Sequence, residues 1–511
     1  MEQDDTNQRQ IKRPPPVLPQ YRVERLGANP NIPPHTPEPK AVRPPLPRQL
    51  FLIAALGFTL FAIYGSLVPL NYRPMEFAEA WTSFWEVFSR PVVFHSRSDL
   101  AANVLLFVPV AFFWLGTFAL DAPRQVGWIA AFFVLPAMPL VGAVIEFSQF
   151  WFPPRVVSLN DVVAQTFGGM IGIGLWLTLG QQLTDFLRDF LGTRDRAKFV
   201  DRLILAYVLG FILFSGFPYD IAISPYELWS KYRHHDRIIL NPFHMPSLDH
   251  TSSYLLAGYS ILLDVVLFLP VGMLTTRFLL PPGQQVRSFW SAVGYGISLV
   301  FLIEIGQLFV WSRFTTTSDL LLGSAGVILG VALTHYLVKT NFAERVLPTL
   351  GNKNRTWLWG LMAMGYVAFL CMKSWAPFDF QFDLGWGWER LRSVLTRPPL
   401  SVMHSGREAH GLTQLFFRIT MLLPLGALFA LGFAQRLACS NRVTIALGGL
   451  VGLTLAVLLE GGQLFLPTRT PDMTELLFYA LGAALGTWIV LRILDQTIEN
   501  YTPDPSVSQK G

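Results

Sequence analysis

The stretch Glu146-Phe-Ser-Gln149-Phe-Trp-Phe-Pro-Pro-Arg155-Val-Val-Ser-Leu-Asn-Asp161, followed by Gly168 and Gly172, decides the fold. It occurs three times. The second copy runs Glu304, Gln307, Arg313, Asp319, Gly326, Gly330, and the third Glu460, Gln463, Arg469, Glu475, Gly482, Gly486. The steps are +3, +6, +6, +7 and +4 each time, and the copies are offset by 158 and then 156 residues. Self-similarity of this kind has to be settled before any fold is assigned.

Working outward, the earlier part of each unit also aligns. Asn103 precedes Pro109 by six residues, Asp264 precedes Pro270 by six, and Arg418 precedes Pro424 by six. Further back, apolar runs end at Pro69, Pro218 and Pro377. The 511-residue chain is 52% hydrophobic and only 14% charged, against about 25% charged in soluble proteins. That shortage of charge excludes an ordinary soluble enzyme. Segments of ~20 apolar residues are predicted to cross a bilayer. Twelve fit: 50–70, 101–120, 127–150, 160–180, 203–218, 254–276, 289–310, 319–338, 356–376, 412–433, 443–466 and 473–493, with 203–218 the shortest. The expected architecture is all-α: a polytopic integral membrane protein of about 12 transmembrane helices in three parallel four-helix repeats. Four spans return the chain to its starting side. The copies therefore share one orientation, unlike inverted repeats.

The expected divisions are a cytoplasmic tail over 1–48, repeats over 49–202, 203–355 and 356–493, and a C-terminal tail over 494–511. The first segment holds 12 of the 37 prolines and is expected to be disordered. It begins with acids and is not a cleavable signal peptide. Lys and Arg concentrate on the side of this tail, notably at Arg188, Arg194, Arg196, Lys198 and Arg202. The positive-inside rule then places both termini in the cytoplasm. Cys371 and Cys439 make no disulfide framework and have no metal spacing. The net charge of +5 implies no nucleic-acid partner.

The ordered set of a polar residue ahead of Phe-x-Pro (Asn103 to Pro109), then Glu-x-x-Gln, a loop Arg, and Asp before Gly-x-x-x-Gly resembles the VanZ-like family. These are bacterial membrane proteins named after a glycopeptide (teicoplanin) resistance protein. The resemblance covers about 50–493 as three tandem copies. It implies a four-helix module, the bacterial cytoplasmic (inner) membrane and a link to the cell envelope, and it carries no settled activity. The third copy departs most, with Arg418 and Glu475.

Ionisable groups inside a span cost several kcal/mol, ~2.5–3.5 on insertion scales, unless paired or wet. Glu146, Glu304 and Glu460 nonetheless fall near the ends of third spans, with Gln149, Gln307 and Gln463 on the same helical face. Asp161, Asp319 and Glu475 fall in the first turn of the fourth spans, where a carboxylate suits the helix N-terminus. Two readings stand side by side. In one, Arg155, Arg313 and Arg469 pair with these carboxylates, the glutamines satisfy backbone groups, and the hairpins are locked. Here Gly168/Gly172, Gly326/Gly330 and Gly482/Gly486 let helices approach closely. In the other, the cluster binds a polar head group, with guanidinium matching the phosphate of a membrane lipid or a polyprenyl-linked envelope precursor. Asp264 and Arg418, opposite in sign at one repeat position, are expected to meet across an interface between copies.

Phe77, Trp81, Phe84, Trp85 and Phe88 predict a surface-lying helix after the first span, with Tyr226, Trp229 and Tyr232, and Trp386, Trp388 and Leu391, as counterparts. His234, His235, His244 and His250, with Asp236 and Asp249, match no zinc spacing. No metal or cofactor is expected. An envelope protein that binds a lipid-linked ligand or organises partners is favoured over a small-solute or lipid transporter. It is also favoured over an intramembrane enzyme, since no nucleophile-and-base motif accompanies the acids.

Overall fold

The protein is described by a computed structural model. It covers residues 47–499 apart from 90, 93–96, 194, 218, 223, 234–236, 242–253, 279–283, 285, 343–344, 346–355, 400–407 and 438. The Pro-rich segment, the last twelve residues and the histidine cluster lie outside the described residues.

Inside a bilayer every backbone N–H and C=O must be satisfied within the segment, which leaves the helix as the choice for apolar runs. All twelve predicted spans are helical. In copy one they are Arg48–Leu67, Arg97–Ala119, Arg124–Ser148 and Leu159–Leu175. In copy two they are Arg196–Gly216, Tyr254–Arg277, Phe289–Leu308 and Thr317–Lys339. In copy three they are Thr356–Trp375, Glu408–Leu437, Asn441–Gln463 and Met473–Glu499. Among the described residues, ten helices are long and apolar enough to cross a membrane. The second spans of copies two and three, which carry Asp264 and Arg418, are helices of 24 and 30 residues. The chain is a multi-pass membrane protein. Large side chains on the span surfaces face outward, with Phe132 at 74% and Phe133 at 67% exposure, as lipid contact requires and water would penalise.

Two departures from the sequence reading have a visible local form. The short segment at 203–218 begins earlier, at Arg196, because Asp195 caps the helix by accepting from Ala197 N at 2.9 Å. The fourth span of copy one continues past its apolar part. A π-helical turn, Trp176–Gly180, leads into the amphipathic helix Gln181–Gly192. There Arg188 pairs with Asp121 at 2.5 Å, and this guanidinium holds the Asp121 carboxyl below the usual carboxylate range.

Each copy has its own apolar core: Phe107, Leu115 and Met138 in the first, Phe268, Val300 and Val327 in the second, Leu422, Leu459 and Tyr479 in the third. Within each, the second and fourth spans approach most closely, and the paired glycines are the cause. A Cβ on Gly168 would meet the Val104 carbonyl oxygen, and one on Gly172 that of Val108. Gly326 and Gly330 stand the same way against Val265 and Leu269, and Gly482 and Gly486 against Ile419 and Leu423. The contacted residues are one and five places after Asn103, Asp264 and Arg418. The glycine step therefore sets that second-span residue beside the first turn of the fourth span.

The copies touch through few polar contacts. Arg97 of copy one pairs with Glu227 of copy two, and Tyr64 donates to the Pro399 carbonyl of copy three. Arg492 of copy three donates to the Leu191 carbonyl, and Trp488 stacks edge-on against Phe199 at 5.7 Å.

Candidate functional site

The third and fourth spans of every copy join on the side opposite the start of the first span, at Arg48 in copy one, and the repeated polar residues gather there. The chain leaving the first span crosses this junction. Arg73 N donates to Trp151 O at 2.8 Å, Ala222 N to Phe309 O at 2.7 Å and Gln381 N to Phe465 O at 2.8 Å. Each donor lies four residues after the span-ending proline and each acceptor five after the glutamate. One backbone bond thus recurs in all three copies.

The loop arginines turn their forks onto the last turn of the first span, and Arg155 also stays within electrostatic reach of Glu146 and Asp99. Arg155 donates from Nε to Val68 O at 2.7 Å and from Nη2 to Gly65 O at 2.8 Å. Arg313 does the same to Phe217 O (2.8 Å) and Phe214 O (2.9 Å), and Arg469 places Nε and Nη2 on Ala376 O at 2.9 and 2.7 Å. The last carbonyls of a helix lack intrahelical partners and carry the negative end of its dipole, so a planar cation fits there.

The glutamates are buried and partnered differently. Glu146 is fully buried. Its Oε1 accepts from Gln149 Nε2 at 2.9 Å and its Oε2 from the Ser158 backbone N–H at 3.0 Å. Glu460 repeats this with Gln463 at 3.3 Å and the Asp472 N–H at 3.0 Å. Gln149 and Gln463 therefore donate to the carboxylate three residues earlier, and Gln463 also reaches Ser374 at 2.8 Å. In copy two the strand residues Thr315 and Thr316 pair in parallel with Ile238 and Ile239, and Glu304 Oε2 has no hydrogen-bond partner among the described residues.

The second-span residues sort by copy. Asn103 Oδ1 accepts from Gln165 Nε2 at 3.2 Å. Arg418 stays in its own copy, with Nη2 2.6 Å from Glu475 Oε1 and Nη1 donating to Tyr479. The expected Asp264–Arg418 pair is therefore replaced by Arg418–Glu475. Each residue faces the fourth span of its own copy because the glycine contacts put it there. Asp264 lies within electrostatic reach of Asp319 and Glu304. The Asp319 backbone N–H is capped by Thr316 Oγ1 at 3.0 Å.

The surface segments are helical: Phe77–Phe88, Pro225–Arg233 and Leu384–Thr396. Phe77, Trp81 and Phe84 pack around Phe147 of the third span, while Trp81 and Trp85 remain about half exposed, as an interfacial belt would. Two of these helices carry a clamp that the motif reading passed over. Lys231 Nζ donates to Gln307 O, Leu308 O and Val310 O at 2.9, 3.1 and 2.7 Å. Arg390 donates to Leu466 O at 2.6 Å and to Arg469 O. Each cation falls 13 residues after Pro218 or Pro377, a spacing visible in the sequence once the prolines are aligned. Burial, reinforced by the Arg237 charge, pushes the Lys231 ammonium down to about 8. It is still mostly charged at neutral pH, so three donors meet three carbonyls.

The arrangement is a set of buried acid, amide and hydroxyl groups at a helix junction, closed on one side by a cation-clamped surface helix. Among the described residues no group of His, Cys, Asp or Glu can hold a metal ion. No curated protein and no solved structure matches the chain. A family model described as VanZ/LLP1 matches it three times, over residues 49–180, 203–339 and 361–494. The three matches coincide with the three four-span copies whose junctions share the arginine fork, a buried glutamate and one backbone bond, and the chain belongs to the VanZ/LLP1 family.

Proposed function

We propose that the chain is a membrane-embedded binding protein that holds the polar head of a lipid-linked envelope ligand at its junction-side clusters. In this reading the junction side faces outward across the bacterial cytoplasmic membrane and both termini are cytoplasmic. The observation that carries it is the burial of a glutamate at the same junction in every copy, with Glu146 at 0% and Glu304 and Glu460 at 6% exposure. Ionisable groups so placed are expensive, and they mark binding or conduction paths more often than they stabilise. Because the arginine forks are spent on first-span carbonyls, recognition falls to carboxylate, amide and hydroxyl groups. These suit a head group rich in hydroxyl or ammonium donors better than a bare phosphate.

The test is native mass spectrometry of the full-length chain purified in mild detergent. A retained amphiphile that is lost in the triple variant Glu146→Gln, Glu304→Gln, Glu460→Gln, with helicity unchanged, is expected. The same amphiphile content in the variant overturns the reading.

A further inference from the structure

The three junctions are alike in backbone and unlike in charge. At the second-span position stand Asn103, Asp264 and Arg418. Four residues after the fourth-span acid stand Gln165, Gly323 and Tyr479. In copies one and three these two positions bond to each other: Gln165 to Asn103, and Arg418 to Tyr479. Copy three also supplies a cation of its own, the Arg418 guanidinium 2.6 Å from Glu475.

Copy two supplies neither the bridge nor the cation. Gly323 has no side chain to send toward Asp264, and the space is taken from the facing span by Val300, whose Cγ1 would lie 3.0 Å from a Cβ at Gly323. In copy one the residue at the Val300 position is Gly142, and Gln165 Oε1 packs against it. Apolar volume has thus moved from one helix to the other, and the polar side chain has gone. Ser158 and Asp472 give their N–H to Glu146 and Glu460, whereas Glu304 Oε2 receives no such bond from Thr316, the residue in the same place. Glu304 is left 6% exposed with Oε2 unpartnered among the described residues, and the charges that weigh on it are those of Asp319 and Asp264. Asp264 and Asp319 therefore lie within electrostatic reach of Glu304, where copy three has Glu475 and a guanidinium beside Glu460. A buried carboxylate without a donor or counter-charge is costly, so such a site is completed by what it binds.

We infer that Asp264, Glu304 and Asp319 of copy two form a binding site for an organic cation, an ammonium or guanidinium group supplied by a ligand, where copy three carries Arg418. The inference rests on the head-group reading above and names the chemistry that copy two contributes to it. The source is either the amine of a lipid head group or a free amine.

The experiment uses the full-length chain in detergent. Thermal unfolding is followed against ethylammonium chloride, tetramethylammonium chloride and sodium chloride at equal ionic strength. Ethylammonium, which carries N–H donors, should raise Tm saturably, while the other two salts should not. Asp264→Asn should need about tenfold more ethylammonium or more, the loss of one charge-assisted hydrogen bond. The triple variant Asp264→Arg, Gly323→Tyr, Val300→Ala rebuilds the copy-three arrangement, in which Ala456 stands at the Val300 position, and it should fold and ignore ethylammonium. Nanodiscs of phosphatidylethanolamine against phosphatidylcholine then assign the source. A higher Tm only in the former points to a lipid amine, and equal Tm with an intact ethylammonium response points to a free amine. An ethylammonium response that survives Asp264→Asn, or is matched by sodium, overturns the inference. Loss of the retained amphiphile in the glutamate variants without any ethylammonium response would sink the cation site alone. An ethylammonium response with no retained amphiphile would sink the lipid-ligand reading alone.

Discussion

Arg155 reaches back 87 residues to place Nε 2.7 Å from the Val68 carbonyl oxygen, so the loop between the third and fourth spans closes the end of the first. Arg313 and Arg469 make the same closure in their own copies. Arg155→Ala leaves two half-buried carbonyls short of a donor, and a loss of about 2–4 kcal/mol is expected from two charge-assisted bonds. Arg155→Lys should recover less than half, since a point ammonium cannot serve two carbonyls as a fork does. Unfolding of the purified variants in detergent measures both.

The glycine step gives a second prediction. Gly168→Ala, Gly326→Ala and Gly482→Ala each push a methyl into a second-span carbonyl, whereas Gly174 has nothing within 4 Å of an added Cβ. The first three should cost about 1–3 kcal/mol through forced helix separation. Gly174→Ala should be neutral or slightly stabilising. Equal melting temperatures for Gly168→Ala and Gly174→Ala would rule out close packing of the second and fourth spans.

Arg418 and Glu475 should behave as one unit. Removing a single partner leaves a charge buried in apolar surroundings, at a cost of about 3–5 kcal/mol. Arg418→Met and Glu475→Gln are each expected to lower stability by that amount. The double variant should lose clearly less than the sum of the two. A double-mutant cycle with a coupling near zero contradicts the pairing.

The Arg188–Asp121 bridge sets a pH dependence. Arg188 holds the Asp121 carboxyl below its ordinary value, so the unfolded chain takes up a proton there before the folded one does. Its stabilising effect is therefore complete at neutral pH and is lost as pH falls through and below the ordinary carboxylate range. Asp121→Asn should lower stability slightly at pH 7, leave it nearly unchanged in acid, and so flatten the acid limb of a stability–pH profile. Screening at this half-exposed site keeps the amplitude small.

The proposed orientation has a direct check. Val156, 79% exposed in the junction loop, is expected on the outer face, and Cys439, exposed between the second and third spans of copy three, on the cytoplasmic face. A membrane-impermeant maleimide on intact cells should label Val156→Cys in a background lacking Cys371 and Cys439. The native Cys439 should react only after permeabilisation. The reverse pattern would invert the topology.

The amino-acid sequence by itself determined the class, the repeat and the address of the polar residues. Those depend on local quantities, namely the length of an apolar run and the fixed spacing from Glu146 to Gly172. The partners of the polar residues were decided by the tertiary structure. Whether Arg155 meets a carboxylate or a carbonyl depends on where the first span ends relative to a loop 87 residues later, and no spacing within the motif encodes that. Arg418 looked like one half of a pair with Asp264 because their signs are opposite. The glycine contacts instead face each toward its own fourth span, where Glu475 answers one and Asp319 crowds the other. Lys231 and Arg390 were visible as a shared distance from a proline, but their meaning needed the third-span carbonyls above them. Periodicity fixes which residues lie at a helix end. Only the packing of one helix on another, through Gly323 and Val300 in copy two against Gln165 and Gly142 in copy one, fixes what each of them can reach.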